Sequence, residues 1–381
     1  MDNPLHPRAR VATARGAVQD VARDLAAAFA DDPPALVLVF APDGTMVEPL
    51  SGLLSGLVGA KALVLACSSA GGFAFDGYDD DRVIAIALSA AAFHARALWL
   101  SRLRQHAALD WMRALRGLAE DMPAAEGRSR FGLLLIDGMS GREELVTTTV
   151  DATLPGLLVL GGSAADGLRF GRTHLALNGQ TRDESAIFCL IDTHFAIEEV
   201  VFDHFVPVGE KMIVTDADPD NRVILEINAE PAAEEYARLI GYTGKALGPH
   251  AFAENPLLER SAGRHFVRAI AGVTPEGGLS LMSSIQTGAI LTIGRPESLT
   301  EGLRKRMEAL GPAQLVLGFD CILRRIAVEH AGEQATVAQL CRDHRIAGFN
   351  TYGEQHGGIH VNQTFVGLAI LDRDLAAPGA P

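Results

Sequence analysis

The chain has 381 residues, and 33 lysines and arginines against 47 aspartates and glutamates give it a formal net charge of −14. Its length exceeds the usual size of one domain, so two domains or one duplicated domain are expected. The acidic balance, without any basic block, argues against nucleic acid and anionic membrane surfaces as partners, because binding to phosphate needs clustered lysine and arginine.

No segment is apolar over the length that a membrane helix requires, since Lys61 and several glycines interrupt the best candidate, Leu50 to Phe75. Residues 1–15 lack the apolar core of a secretory signal. The four cysteines are scattered and form no Cys-x-x-Cys pair, which disfavours structural zinc and fits free thiols in a reducing compartment. We therefore predict a cytoplasmic protein.

Strand and helix patterns alternate in the first half of the chain. Residues 1–14 are predicted to be a flexible arm, and the apolar positions from Val18 to Phe29 recur at helical spacing. Ala35–Ala41 and Ala62–Ala66 are buried-strand patterns that flank a further helix. This β-α-β order is typical of a parallel strand pair in a covered sheet.

A second unit repeats this order after the strand Arg82–Leu88. Its predicted strands and helix are Phe131–Ile136, Arg142–Thr153 (the helix), Leu157–Leu160 and Ala186–Ile191. The nine residues Leu63–Gly71 align with Leu158–Asp166, and Ile346–Glu354 gives a weaker third match. The alignment predicts an internal duplication.

The stretch from Glu198 to Thr215 is rich in strand pattern. Its period of two places Val200, Phe202, His204 and Val206 on one face, so His204 is predicted to lie on a mostly apolar face.

The last part of the chain continues as mixed strand and helix. Predicted strands are Phe266–Val273, Leu279–Met282, Ile290–Gly294 and Gln314–Phe319, and the tail Ile346–Leu371 predicts two strands around a glycine-rich crossing. The second tail strand, from Val361, has two partly apolar faces and is predicted to be central. The fold class predicted is α/β, with two α/β portions whose mixed sheets are covered by helices.

The tail motif Gly348–Glu354, read with Asn362–Thr364, resembles the closing motif of the FIST-domain family, a bacterial signal-input family with an N-terminal and a C-terminal FIST portion. The resemblance runs from about Ala35 to Leu371. The N-terminal family motif departs here, because Ala66 replaces its first glycine and Gly72 its acid.

The resemblance implies a FIST N-terminal domain over residues 15–225 and a FIST C-terminal domain over residues 226–372. Residues 373–381 are predicted to be a disordered tail. Within the family, three stretches resemble the haem-binding, nitric-oxide-sensing branch called NosP: His204–Pro207, Leu317–Arg325 and Glu354–Phe365. Ordinary FIST sequences tend to have Gly-Cys-Arg-Pro where this chain has His-Phe-Val-Pro.

The branch resemblance implies non-covalent haem b with His204 as the axial iron ligand. The other cofactor-binding residues expected are Phe202, Phe205, Pro207, Arg324, Tyr352 and His360. Alternatives to His204 as the ligand are His360, His356 and His265, and a core histidine without a ligand role also stays open. Arg324 has two interpretations: it pairs with Asp320 to fix a turn, or it holds haem propionates together with Arg325.

The leading hypothesis is a haem-based nitric oxide sensor that is not an enzyme. A distal pocket without strong donors favours nitric oxide over oxygen. On the resemblance alone, its output passes to a partner histidine kinase or cyclic-di-GMP enzyme, and a homodimer stays open.

Two other functions compete with this hypothesis. The first is a haem-free module for a small, amino-acid-like metabolite, read by Asn350, Tyr352, Glu354, Asn362 and Gln363. The second is a thiol hydrolase that uses Cys67 or Cys321.

Overall fold

Apolar runs and amphipathic stretches alternate in the first half of the chain and form its strands and helices. The computed structural model describes residues 8–105, 107–261 and 264–374. In chain order the elements of this half are β1 (Ala9–Ala14), α1 (Val18–Phe29), β2 (Pro34–Ala41), α2 (Val47–Leu57), β3 (Leu63–Ser68), β4 (Gly72–Ala74), β5 (Gly77–Asp79), β6 (Val83–Ser89), β7 (Phe93–Ser101), α3 (Ala108–Asp121), β8 (Ser129–Ile136), α4 (Glu143–Thr153), β9 (Leu158–Ser163), β10 (Leu175–Leu177), β11 (Gln180–Thr181) and β12 (Ser185–Thr193).

The second half has longer strands and shorter helices. Its elements are β13 (Phe195–Asp203), β14 (Phe205–Asp218), β15 (Val223–Ile227), β16 (Glu230–Pro231), α5 (Ala232–Leu239), α6 (Pro249–Glu254), β17 (Leu257–Ser261), β18 (Arg264–Arg268), β19 (Ile270–Val273), β20 (Leu279–Leu281), β21 (Ile290–Pro296), α7 (Glu301–Leu310), β22 (Ala313–Cys321), α8 (Ile322–His330), α9 (Gln334–Asp343), β23 (Ile346–Thr351), β24 (Glu354–His356), β25 (Ile359–Val361) and β26 (Thr364–Asp374).

These elements form mixed sheets. Three six-stranded sheets have the orders β1-β6-β2-β3-β10-β11, β25-β24-β9-β8-β12-β7 and β13-β26-β22-β23-β4-β5. An eight-stranded sheet has the order β18-β17-β21-β14-β15-β20-β19, with β16 paired to β15. The predicted α/β class with mixed sheets is confirmed.

The internal repeat is visible in three parallel strand pairs. β3, β9 and β23 begin and end at equivalent positions of the predicted alignment, and they pair in parallel with β2, β8 and β22 respectively. Each of these strands is buried along almost its whole length, because helices or another sheet cover both of its faces. The architecture therefore fits the predicted duplication.

Backbone hydrogen bonds join the carboxyl ends of the three repeated strands. The amide of Ala70 donates to the Asn350 carbonyl at 2.9 Å, Ala165 donates to Ser68 at 3.0 Å, and Tyr352 donates to Ser163 at 3.2 Å. The two halves of the chain therefore meet at one edge and share one hydrophobic core.

Two strand pairs join the two sides of the domain boundary that the sequence predicts between residues 225 and 226. β13, from the N-terminal side, pairs with β26, and β24, from the C-terminal side, pairs with β9. The boundary thus separates two stretches of sequence, while the sheets combine strands from both.

The predicted flexible arm is wrong for Ala9–Ala14, which form β1 and pair antiparallel with β6. Ala9 and Ala14 are buried against the sheet, and the Arg8 amide donates to Gln314 Oε1 at 2.8 Å. Residues 1–7 of the arm lie outside the described residues. The predicted disordered tail is also wrong at its start, since β26 runs to Asp374, and residues 375–381 lie outside the described residues.

The glycine-rich crossing is itself a hairpin. Gly357 and Gly358, with φ values of 53° and 77°, form the turn between β24 and β25. The second tail strand begins at Thr364 and not at Val361, because Gln363 has a φ of 54° and interrupts the extended backbone. β26 then lies between β13 and β22, so its predicted central position is confirmed.

No helix among residues 8–105, 107–261 and 264–374 is long and apolar enough to cross a membrane.

Candidate functional site

A cavity of about 500 Å³ lies where β13, β14, β18, α7 and the β24–β25 hairpin meet. Its volume is in the range of small-molecule sites, which is about 300–1,000 Å³. The apolar part of its wall consists of Val201, Phe205, Pro207, Phe266, Val267 and Val361. The charged or titratable part consists of Glu199, Asp203, His265, Arg306 and His356. We call this space the β13 cavity.

The period of β13 decides which side chains reach the β13 cavity. Glu199, Val201 and Asp203 alternate toward it, while Val200 and Phe202 point to the core beneath α7. The chain leaves one sheet after Asp203 and enters another at β14, so the first residues of β14 extend the same wall.

Two imidazoles open on this cavity. His356, at the end of β24, is 4% exposed, and its Nδ1 lies 3.5 Å from Glu199 Oε1. The ring of Phe266 lies beside it, with centroids 6.3 Å apart. His265 comes from β18 and is half-buried. The cavity thus combines an aromatic wall with one deeply placed and one more accessible imidazole.

The acids and the guanidinium at the cavity are held by local contacts. Asp203 lies at the cavity mouth, yet burial by the surrounding protein raises the pKa of its carboxyl above the usual value, while the hydrogen bond that the Phe205 amide donates to Asp203 Oδ1 at 3.2 Å acts in the opposite direction. Arg306 donates to the Glu199 carbonyl at 2.8 Å and lies 3.1 Å from Glu198 Oε1. α7 therefore holds the backbone of β13 at the residue that contacts His356.

The structure does not place His204 at the β13 cavity. This residue lies between β13 and β14, is 5% exposed, and its ring packs on Phe205 with centroids 4.0 Å apart. Within the described part of the chain, His204 Nδ1 has no hydrogen-bond partner. Burial, and then the charge of Arg324, lowers the pKa of His204 to about 3. Its role as iron ligand stays a prediction that this placement does not favour.

The lowered pKa of His204 gives a pH-dependent stability. Below pH 6.5 the His204 imidazole is protonated in the unfolded chain, whereas in the folded chain it stays neutral down to about pH 3. The free energy of unfolding therefore decreases as the pH falls through this range. From pH 7.5 to pH 5.0 we expect the free energy of unfolding to decrease by about 2 kcal/mol more in the unsubstituted chain than in the His204→Gln variant. Urea unfolding at the two pH values measures this difference. The exposed His94, replaced by Gln, is the control, and a parallel pH response of both variants would contradict the expectation.

Phe202 and Arg324 also lie away from the cavity. The Arg324 guanidinium stacks over the Phe202 ring at 5.6 Å, and it hydrogen-bonds to both oxygens of Asp320, at 3.2 and 3.3 Å. Its side chain is 0% exposed. Of the two interpretations, pairing with Asp320 is therefore the one that the structure shows, and a propionate would have no access to this guanidinium.

Tyr352 and His360 are in the interior as well. The Tyr352 hydroxyl donates to Asp166, and its ring stacks on Phe170 with centroids 4.5 Å apart. His360 Nδ1 lies 3.1 Å from Gln355 Nε2, and burial lowers the pKa of His360 to about 4. Of the predicted cofactor residues, Phe205 and Pro207 are the two that line the cavity.

The polar tail residues form a buried cluster. Asn350, Glu354 and Asn362 are 0% exposed. Burial raises the pKa of the Glu354 carboxyl well above its usual value. Asn362 Oδ1 and Gln363 Oε1 have no hydrogen-bond partner among the described residues. None of these side chains faces the β13 cavity.

The cysteines considered for a hydrolase are both fully buried. Burial raises the pKa of the Cys67 and Cys321 thiols well above the ordinary value. A nucleophilic cysteine needs an accessible thiolate, so neither position supports that chemistry.

Sequence reasoning missed several residues of the cavity, namely Glu199, Val201, Asp203, Phe266, Val267, Arg306, Val361 and Thr364. The period of β13 was available as a signal, because it separates Glu199, Val201 and Asp203 from the apolar face. The contributions of β18 and α7 depend on long-range packing and have no local signature.

Comparison with known families gives two matches. Residues 12–230 match the family model of the FIST N domain, and residues 232–356 match that of the FIST C domain. A search of curated proteins gave no match.

Proposed function

We propose a function from one premise: this chain belongs to the FIST family. FIST domains are sensory, ligand-binding modules of signal transduction. We propose that the β13 cavity is the sensory site, that it binds haem b without a covalent bond, and that the gas it detects is nitric oxide. The output would pass to a partner histidine kinase or cyclic-di-GMP enzyme.

The observation that carries the proposal is the buried imidazole of His356 at an apolar-walled cavity of about 500 Å³. Non-covalent haem needs one protein imidazole and an apolar surround, since the porphyrin supplies the other four nitrogens. Among the described residues no three or more His, Cys, Asp or Glu side chains form a metal-binding group.

The residues present fit the group. Phe205 and Phe266 offer aromatic surface, and Arg306 offers a cation for a propionate. When bound, haem would supply the iron on which a diatomic gas binds.

The absorption spectrum tests this proposal. We expect the full chain, produced with iron and haem precursor, to show a Soret band that shifts on addition of nitric oxide to the ferrous protein. A colourless protein that also takes up no added haemin would overturn it. Myoglobin treated in the same way controls for haem supply.

One observation favours a haem-free alternative at the same cavity. The carboxylates of Glu199 and Asp203 and the guanidinium of Arg306 face one space, and such a set can hold the ammonium and carboxylate groups of an amino-acid-like ligand. A rise in melting temperature with millimolar amino acids, from a protein without a Soret band, would support this alternative.

A further inference from the structure

We infer that the iron ligand of this sensor is His356, bound through Nε2, and that Glu199 is the positioning residue that sets its orientation. This inference rests on the proposed function. It replaces the ligand that the sequence suggested with one that the β13 cavity contains.

The first step is the rigidity of the support. β24 lies inside its sheet, between β25 and β9, and His356 is paired with Ile359 on one side and Leu160 on the other. His265 is on β18, which is the outermost strand of its sheet. A ligand site needs its first contact on a rigid element, so His356 is the better placed of the two imidazoles.

The second step is the tautomer. His356 Nδ1 lies 3.5 Å from Glu199 Oε1, an ion-pair distance that is longer than the usual hydrogen bond of about 2.7–3.2 Å. A carboxylate in this position favours the proton on Nδ1 and leaves the Nε2 lone pair available. Metal-binding histidines almost always donate their second ring nitrogen to such a partner, and this raises the basicity of the ligand.

The third step is the support of Glu199 itself. The residue is part of β13, where the neighbouring Glu198 pairs with Ala369 and Glu199 with Leu368 of β26. Arg306 donates to the Glu199 carbonyl from α7. The carboxylate thus projects from a backbone that is fixed on two sides, as a positioning role requires.

The fourth step is the environment of the imidazole. Its side chain is 5% exposed, its ring centroid lies 6.3 Å from that of Phe266, and Val361 belongs to the same cavity wall. Exclusion of water there would stabilise an iron–nitrogen bond against exchange with solvent.

Haemin titration of the purified full chain tests the assignment. We expect His356→Ala to bind haemin at least about 100-fold more weakly, and added imidazole to restore the ferrous spectrum in part. His356→Met keeps a similar side-chain volume and should give a thioether-ligated spectrum if the alanine variant does not fold. His265→Ala and His204→Ala are the matched controls and should keep the spectrum of the unsubstituted protein.

Resonance Raman spectroscopy of the ferrous protein tests the role of Glu199. We expect the iron–histidine stretching frequency to fall from the unsubstituted chain to Glu199→Gln and further to Glu199→Leu, because the acceptor is first neutralised and then removed. A merely structural role would leave this frequency unchanged.

The outcomes separate the inference from the proposed function. If the unsubstituted chain binds no haemin, the haem function and the inference are both overturned. If it binds haemin and His356→Ala keeps an unaltered spectrum, the inference alone is overturned, whichever of the other histidine variants loses haem.

Discussion

Replacement of Arg324 by alanine is expected to lower the free energy of unfolding by about 3–5 kcal/mol, because it leaves a buried charge without its partner. Arg324 donates to both carboxylate oxygens of Asp320 and to the Leu299 carbonyl at 3.3 Å. The hydroxyl of Tyr78 donates to Asp320 Oδ2 at 2.5 Å. Burial raises the pKa of Asp320, and the Arg324 charge is the main opposing influence. Loss of that charge makes the buried carboxylate costly.

Urea unfolding measures this effect. The control is Arg113→Ala, whose side chain is 75% exposed and lies 3.0 Å from Asp110, and its expected cost is below about 1 kcal/mol. The double variant Arg324→Met with Asp320→Leu removes both charges and should cost less than Arg324→Ala alone. A stable Arg324→Ala protein that loses only haem would instead restore the propionate role.

The repeated strands could be predicted from the sequence because their signal is local. β2, β3, β8 and β9 are continuous apolar runs, and a strand buried on both faces needs little else to be recognised. The alignment of the repeats followed from the same runs and from the small residues after them.

The arrangement between the halves could not be predicted in this way. β24 pairs with β9 across almost two hundred residues of sequence, and no local pattern marks that register. β1 was missed because its short mixed segment, Ala-Arg-Val-Ala-Thr-Ala, has only a weak alternation. β7 was missed as well, since His94 and Arg96 interrupt its apolar pattern.

The case of His204 shows how a correct period can still mislead about a site. The alternation did separate Phe202 from Val201 and Asp203, as the structure has them. The apolar face, however, is buried under α7, where Phe202 lies directly against Gly302. The cavity formed on the mixed face, where polar and apolar side chains alternate and where a space can be hydrated or filled by a ligand.

Replacement of Gly348 by alanine is expected to lower the free energy of unfolding by about 3 kcal/mol, the upper end of the usual cost of overpacking. Gly348 pairs with Gly318 in the parallel pair β22–β23. A Cβ atom there would overlap the Gly318 carbonyl oxygen and meet Phe73 Cζ at 3.0 Å. The carbonyl belongs to a backbone held on both sides by neighbouring strands, so it cannot move away as a flexible side chain would.

Gly117 provides the matched control for this substitution. It lies in α3, and nothing is within 4 Å of the position that its Cβ would take. Gly117→Ala should therefore raise the free energy of unfolding by about 0.5–1 kcal/mol, because alanine has the higher helix propensity. The two substitutions add the same methyl group and should shift the urea midpoint in opposite directions with an unchanged slope. A Gly348→Ala variant as stable as the unsubstituted chain would contradict the close approach of the Gly348 and Gly318 backbones in the pair β22–β23.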